Sequence, residues 1–146
     1  MTATNPPTSL HYVMASRLTE VDGACRELRA LLEAHGLTPV GFPVELATRE
    51  CLCNAVVHGN RGRADARVTL ALRIGRRWIR VEVADEGSGF PWRRASRMPP
   101  GIRRQSGRGL AICALYAARM AFSRSGNRIT LWIAKRKGDR HARVCD

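Results

Sequence analysis

No stretch of this 146-residue chain is long and uncharged enough to cross a bilayer; the longest apolar run, Leu110 to Ala118, is about half of what a spanning helix needs. The first ten residues carry no basic segment followed by an apolar one, so no secretory leader is expected and the chain is expected in the cytoplasm. The five cysteines (Cys25, Cys51, Cys53, Cys113 and Cys145) include no CxxC pair, which counts against a zinc site. Their odd number and apolar surroundings fit reduced, buried thiols. Cys51 and Cys53 would point to different sides of a helix and could not hold one ion together. Aromatic residues make up only 5% of the chain, too few to interleave with its arginines as a base-stacking surface. There are no internal repeats and no low-complexity tract.

What is present is the composition of a folded domain, 45% hydrophobic and 25% charged, at the usual length of a single unit spanning residues 1–146. The net charge of +13 is unevenly spread. Residues 1–60 carry 4 basic and 6 acidic side chains, residues 61–108 carry 13 and 4, and residues 109–146 carry 8 and 2. A charge confined to turns and one segment fits a solvated face or an acidic protein partner better than a nucleic-acid track, so no direct nucleic-acid binding is expected.

Ser9 to Ser16 forms an extended apolar run, and Val21, Cys25, Leu28, Leu31 and Leu32 then recur at helical spacing up to Gly36. A second helix is expected to open at Phe42-Pro43 and to end near His58, before Gly59-Asn60. Residues 66–74 and 78–83 alternate around a Gly75-Arg76 turn and predict an antiparallel hairpin. Residues 85–108, rich in Gly, Pro, Ser and Arg, form too long a loop to be passive and are expected to act as a lid. Helical spacing returns from Gly109 to Met120, and Phe122–Arg124 and Ile129–Ala134 flank a Ser125-Gly126-Asn127 turn, with a basic tail over 137–146. This order predicts an α/β two-layer sandwich, a mixed but mainly antiparallel sheet with helices on one face.

Three segments stand out chemically. Glu50, Asn54 and His58 are four residues apart and share a stripe with Leu46, Ala47 and Val57. Polar groups aimed at a core must be paired or bound to a ligand, so the stripe is either a ligand site, a buried hydrogen-bond network or a partly exposed face. His58, beside Gly59, also suits a helix C-terminal cap. Next, a strand runs into Asp85-Glu86-Gly87-Ser88-Gly89, where an aspartate can accept from an exocyclic amine and glycines admit a ligand to the main chain; an ordinary turn has the same appearance. Finally, Ser106-Gly107-Arg108-Gly109-Leu110 opens a helix whose free N–H groups suit a phosphate. Neither the Walker nor the Rossmann pattern is met.

In this order, ELATRECLCNAVVHGN, VADEGSGF and SGRGLAI resemble the N, G1 and G2 boxes of the ATPase superfamily of gyrase, Hsp90, histidine kinases and MutL, whose nucleotide domain has the Bergerat fold. They are similar in particular to the stand-alone anti-sigma factor serine kinases, over a core of about residues 9–136. The resemblance implies ATP and Mg²⁺ as cofactors, Glu50 as general base and Asn54 as metal ligand. It implies Asp85 as the reader of the adenine amine, Gly87 and Gly89 as shapers of the adenine pocket, and Ser106, Gly107, Arg108, Gly109 and Leu110 over the phosphates. Thr130 matches the family's pocket threonine. The implied partners are an anti-sigma-factor antagonist of the STAS type as substrate, a sigma factor or equivalent target, and a second copy in a homodimer. Gln105 stands where the family often has an arginine, with Arg103, Arg104 and Arg108 nearby. A non-catalytic switch of the same fold, gated by ATP and ADP, is the alternative activity.

Overall fold

A computed structural model describes residues 5–89, 107–141 and 144. The chain runs through β1 (Ser9–Ala15), α1 (Val21–Ala34), α2 (Thr38–Asn54), a π-helical turn (Ala55–Gly59), β2 (Arg67–Ile74), β3 (Trp78–Asp85), α3 (Gly107–Tyr116), β4 (Arg119–Phe122) and β5 (Arg128–Ala134). Within the tail, Lys137–His141 makes a further 3₁₀ turn.

Helix α1 buries Val21, Ala24, Cys25, Leu28, Leu31 and Leu32, one stripe at spacings of three and four. It stops at Gly36, whose φ of 65° is the left-handed conformation that ends helices. Helix α2 opens earlier than the sequence pattern predicts, at Thr38, because Pro39 occupies the first turn, where a missing N–H costs nothing. Pro43 consequently sits inside the helix, and its neighbour Phe42 is 70% exposed. At its far end α2 does not simply stop. It widens into the π turn, closed by the Asn60 N–H donating to the Ala55 carbonyl at 2.8 Å.

The sheet has the order β1-β2-β3-β5-β4 and is antiparallel at every pairing. The predicted hairpin forms with Gly75 N–H donating to the Trp78 carbonyl at 2.8 Å, and β4 and β5 make the second hairpin. Register sorts the side chains into two faces. Val68, Leu70, Leu72 and Ile74 of β2 oppose Asp85, Val83, Val81 and Ile79 of β3, and Ile129, Leu131 and Ile133 of β5 continue the row. This row, apart from Asp85, packs under the helices as the core. Since successive strand residues point to opposite sides, Glu82, Arg80, Thr130 and Trp132 share the other face. There Glu82 pairs with Arg80 at 2.8 Å and Arg128 at 3.5 Å, and the guanidiniums of Arg80 and Arg119 lie over the Trp132 ring. The predicted α/β sandwich with helices on one face is the fold observed.

Cys25, Cys51, Cys53 and Cys113 are free thiols, and all but Cys53 are buried. Among the described residues no helix is long and apolar enough to cross a membrane, and no cluster of three or more His, Cys, Asp or Glu could hold a metal ion.

Candidate functional site

One cleft lies between α2, the start of α3, the end of β3 and the β4–β5 hairpin. Its lining includes Asn54, Ala55, His58, Gly59, Val83, Asp85, Leu110 and Ile129, with the hairpin residues Phe122 and Asn127. The walls are largely apolar, and Asp85 supplies the carboxylate among them.

Asp85 is in the cleft because of strand register. It occupies the core-facing position opposite Val68, where the hydrophobic row of β3 would otherwise continue. Its backbone N–H donates to the Asn127 carbonyl at 2.9 Å, and its Oδ1 accepts the Gly87 N–H at 2.8 Å. Burial pushes its carboxyl above the ordinary carboxylate value, while the Gly87 N–H and the nearby Arg63 charge pull the other way.

The backbone around Asp85 is packed too closely for side chains. A Cβ on Gly59 would run into the Asp85 carboxylate, and one on Gly87 would run into the Gly59 carbonyl. Gly89 combines a φ of 107° with contact against the Ser125 carbonyl. Gly87 and Gly89 are not among the lining residues themselves; they pack behind Asp85 and the β4–β5 turn.

At the other end, Asn54 lines the cleft and Glu50, one helical turn before it on α2, lies beside the lining without being part of it; both are half-buried. The N-terminus of α3 comes down on them. A Cβ on Gly109 would sit 2.8 Å from Asn54 Nδ2 and 3.1 Å from Glu50 Oε2. Helix N-termini carry unpaired N–H groups and a partial positive charge, so this end is suited to an anion. Gly107 and Arg108 belong to the first turn of the same helix, and Leu110 lines the cleft. Ser106, Gln105, Arg103 and Arg104, with the rest of the expected lid from 90 to 106, lie outside the described residues.

One expectation is corrected. Thr130 opposes Glu82 on β3 and Ala121 on β4, so it faces away from the cleft, and its neighbour Ile129 lines the cleft instead. Counting by two from the core residues Leu131 and Ile133 would have revealed this. His58 is the basic residue in the last turn of the π-helical segment, as the capping reading expects, and it also lines the cleft. Along the α2 stripe Ala47 is fully buried in the core, Asn54 and His58 line the cleft, and Val57 is 46% exposed, so the stripe runs from core to cleft rim. The sequence reading also passed over Gly59 and Asn60 as a mere helix end.

Residues 14–135 match the family model of the histidine kinase-like ATPase domain, which is most of the chain. The chain belongs to that family. No curated protein matches it. As a histidine kinase-like ATPase domain, it binds ATP, and the cleft fits that ligand. An apolar slot beside a half-buried carboxylate suits a purine bearing an exocyclic amine, and a helix N-terminus beside an amide and a carboxylate suits a polyphosphate with its counter-ion.

Proposed function

We propose that this protein is a cytoplasmic anti-sigma factor with ATP-dependent serine kinase activity toward an anti-sigma-factor antagonist of the STAS type. The observation that supports the catalytic part is the approach of Gly109 to both Glu50 and the cleft-lining Asn54, while Asp85 lines the other end of the cleft. ATP supplies the phosphoryl group to be transferred. Asp85 holds the purine amine, and Asn54 offers its amide oxygen to Mg²⁺, a hard cation that prefers oxygen ligands and keeps several waters. The first N–H groups of α3 face the phosphates. Glu50 then accepts the proton of the serine hydroxyl as its oxygen bonds the γ-phosphorus, the bond from that phosphorus to the β–γ bridging oxygen breaks, and ADP leaves. Positioning and charge neutralisation supply most of the rate of phosphoryl transfer, and the base adds to them.

The closing step is a change of partner. Adding a phosphate to the antagonist's serine beside Glu50 sets like charges against each other and releases the product. The basic balance of residues 61–146 favours acidic partner surfaces.

The test uses the antagonist that copurifies from the native cell, radiolabelled ATP, and mass spectrometry for phosphoserine. Glu50→Gln keeps the shape of the side chain and removes the base, so ATP binding should hold while transfer falls by about 10²- to 10⁴-fold. Equal transfer by variant and parent would leave the non-catalytic switch as the correct reading.

A further inference from the structure

Asn60 is fully buried, yet it is not among the residues lining the cleft. A primary amide brings two donor hydrogens and an acceptor oxygen, and here all of them are engaged. Nδ2 donates to Ser16 Oγ at 3.0 Å and to the Arg67 carbonyl at 2.9 Å, while Oδ1 accepts the Glu86 N–H at 2.9 Å. The Asn60 backbone N–H closes the π turn on Ala55, and its carbonyl accepts the Arg63 N–H at 3.0 Å. One residue therefore joins the end of β1, the start of β2, the π turn that carries Gly59, and the residue between Asp85 and Gly87.

Glu86 is held from the other side as well. Its carbonyl accepts from Arg63 Nη2 at 3.2 Å, and its carboxylate accepts the Arg67 N–H. Strand register brings Asp85 to the cleft; the tied peptide that follows it and the packing of Gly59 on its carboxylate hold it there. An apolar side chain in place of Asn60 would leave the part-buried Glu86 N–H and Arg67 carbonyl without this partner, and the turn would loosen as they turned to water.

We infer that Asn60 is a positioning residue for purine selection: by fixing the Glu86 peptide it sets the depth at which Asp85 meets the base. This rests on Asp85 being the purine reader, as proposed above. The bonds it makes span residues 16 to 86, so the residue acts as a keystone between the nucleotide cleft and the sheet edge.

The experiment compares ADP with inosine diphosphate, in which a carbonyl oxygen replaces the exocyclic amine. The parent should favour ADP by about tenfold or more, because the adenine amine donates to Asp85 where the inosine carbonyl sets an acceptor against the carboxylate. In Asn60→Ala that preference should shrink to within about threefold, whereas Thr48→Val should keep it, although it too loses a buried hydrogen bond, to the Val44 carbonyl. Ser16→Ala, which removes one anchor of the amide and leaves the Glu86 bond in place, should give an intermediate preference. It takes the place of Asn60→Ala if that variant does not fold. A second measurement needs no nucleotide: amide exchange at Glu86 should quicken by about tenfold in Asn60→Ala and stay unchanged in Thr48→Val. A parent that cannot tell the two nucleotides apart overturns the reading of Asp85. A parent that discriminates and an Asn60→Ala that discriminates equally well overturn this inference alone. Unchanged exchange at Glu86 overturns it as well.

Discussion

The two ends of the cleft are built by different means. At the purine end, backbone meets backbone and carboxylate: Gly59 lies against Asp85, Gly87 against Gly59, and Gly89 against Ser125. These contacts leave no volume for a side chain, so shape is the constraint. At the phosphate end, two side chains one turn apart on α2 meet the first turn of α3. There the residues can change size with little strain, and their chemistry is the constraint. The comparison teaches that the first end should fail when atoms are added, and the second when functional groups are exchanged.

Adding atoms to the purine end should give the largest effect on binding. Gly59→Val places its branches on the Asp85 carboxylate, and overpacking of this kind should lower ADP affinity by about 100-fold while the helical circular dichroism persists. Retained affinity would mean that the purine end is not rigid, and the contrast between the two ends would disappear.

Exchanging the functional group at that end comes next. Asp85→Asn turns an acceptor toward the purine amine into a group that can present a donor, and ADP affinity measured by calorimetry should fall by about 10- to 100-fold, with or without magnesium. The same substitution has a pH signature in the nucleotide-free protein. Burial raises the Asp85 carboxyl in the folded state, so the protonated form is the better tolerated one. The stability it contributes is present below the unfolded carboxylate's pKa and is lost as pH rises through the folded value. The melting temperature of Asp85→Asn should therefore gain on the parent between acid and neutral pH, the reverse of what removal of an ion-paired aspartate would do.

The phosphate end should respond only when the metal is present. Asn54→Ala should weaken magnesium-dependent ADP binding by about tenfold and leave binding in EDTA unchanged. A loss of equal size in both conditions would place Asn54 against the nucleotide itself instead of the cation.

The smallest effect belongs to the sheet face that carries no part of the cleft. Arg80 pairs with Glu82 and lies over Trp132, but its side chain is 45% exposed. Arg80→Ala should cost under about 1 kcal/mol in urea unfolding and leave ADP affinity unchanged.

Much of this was legible in the sequence, because the signals are local. Helix α1, the β2–β3 hairpin, the i, i+4 placement of Glu50 and Asn54, and the acidic glycine turn after β3 all follow from spacings of two to four residues. A residue's face on its own helix or strand is fixed by periodicity, whatever the rest of the chain does. Three things needed the folded chain. The face of Thr130 depends on the pairing of β5 with β3 and β4, and a shift of one residue reverses it. The π turn at the end of α2 departs from the regular helical period, so spacing alone does not show it. The meeting of Gly59 with Gly87, Gly89 with Ser125, Gly109 with Glu50, and Asn60 with Ser16 and Glu86 joins segments 26 to 59 residues apart, set by how the helices settle on the sheet. Local spacing says which groups a chain offers to a site; only the packing of distant segments decides which of them meet, and how much room is left between them.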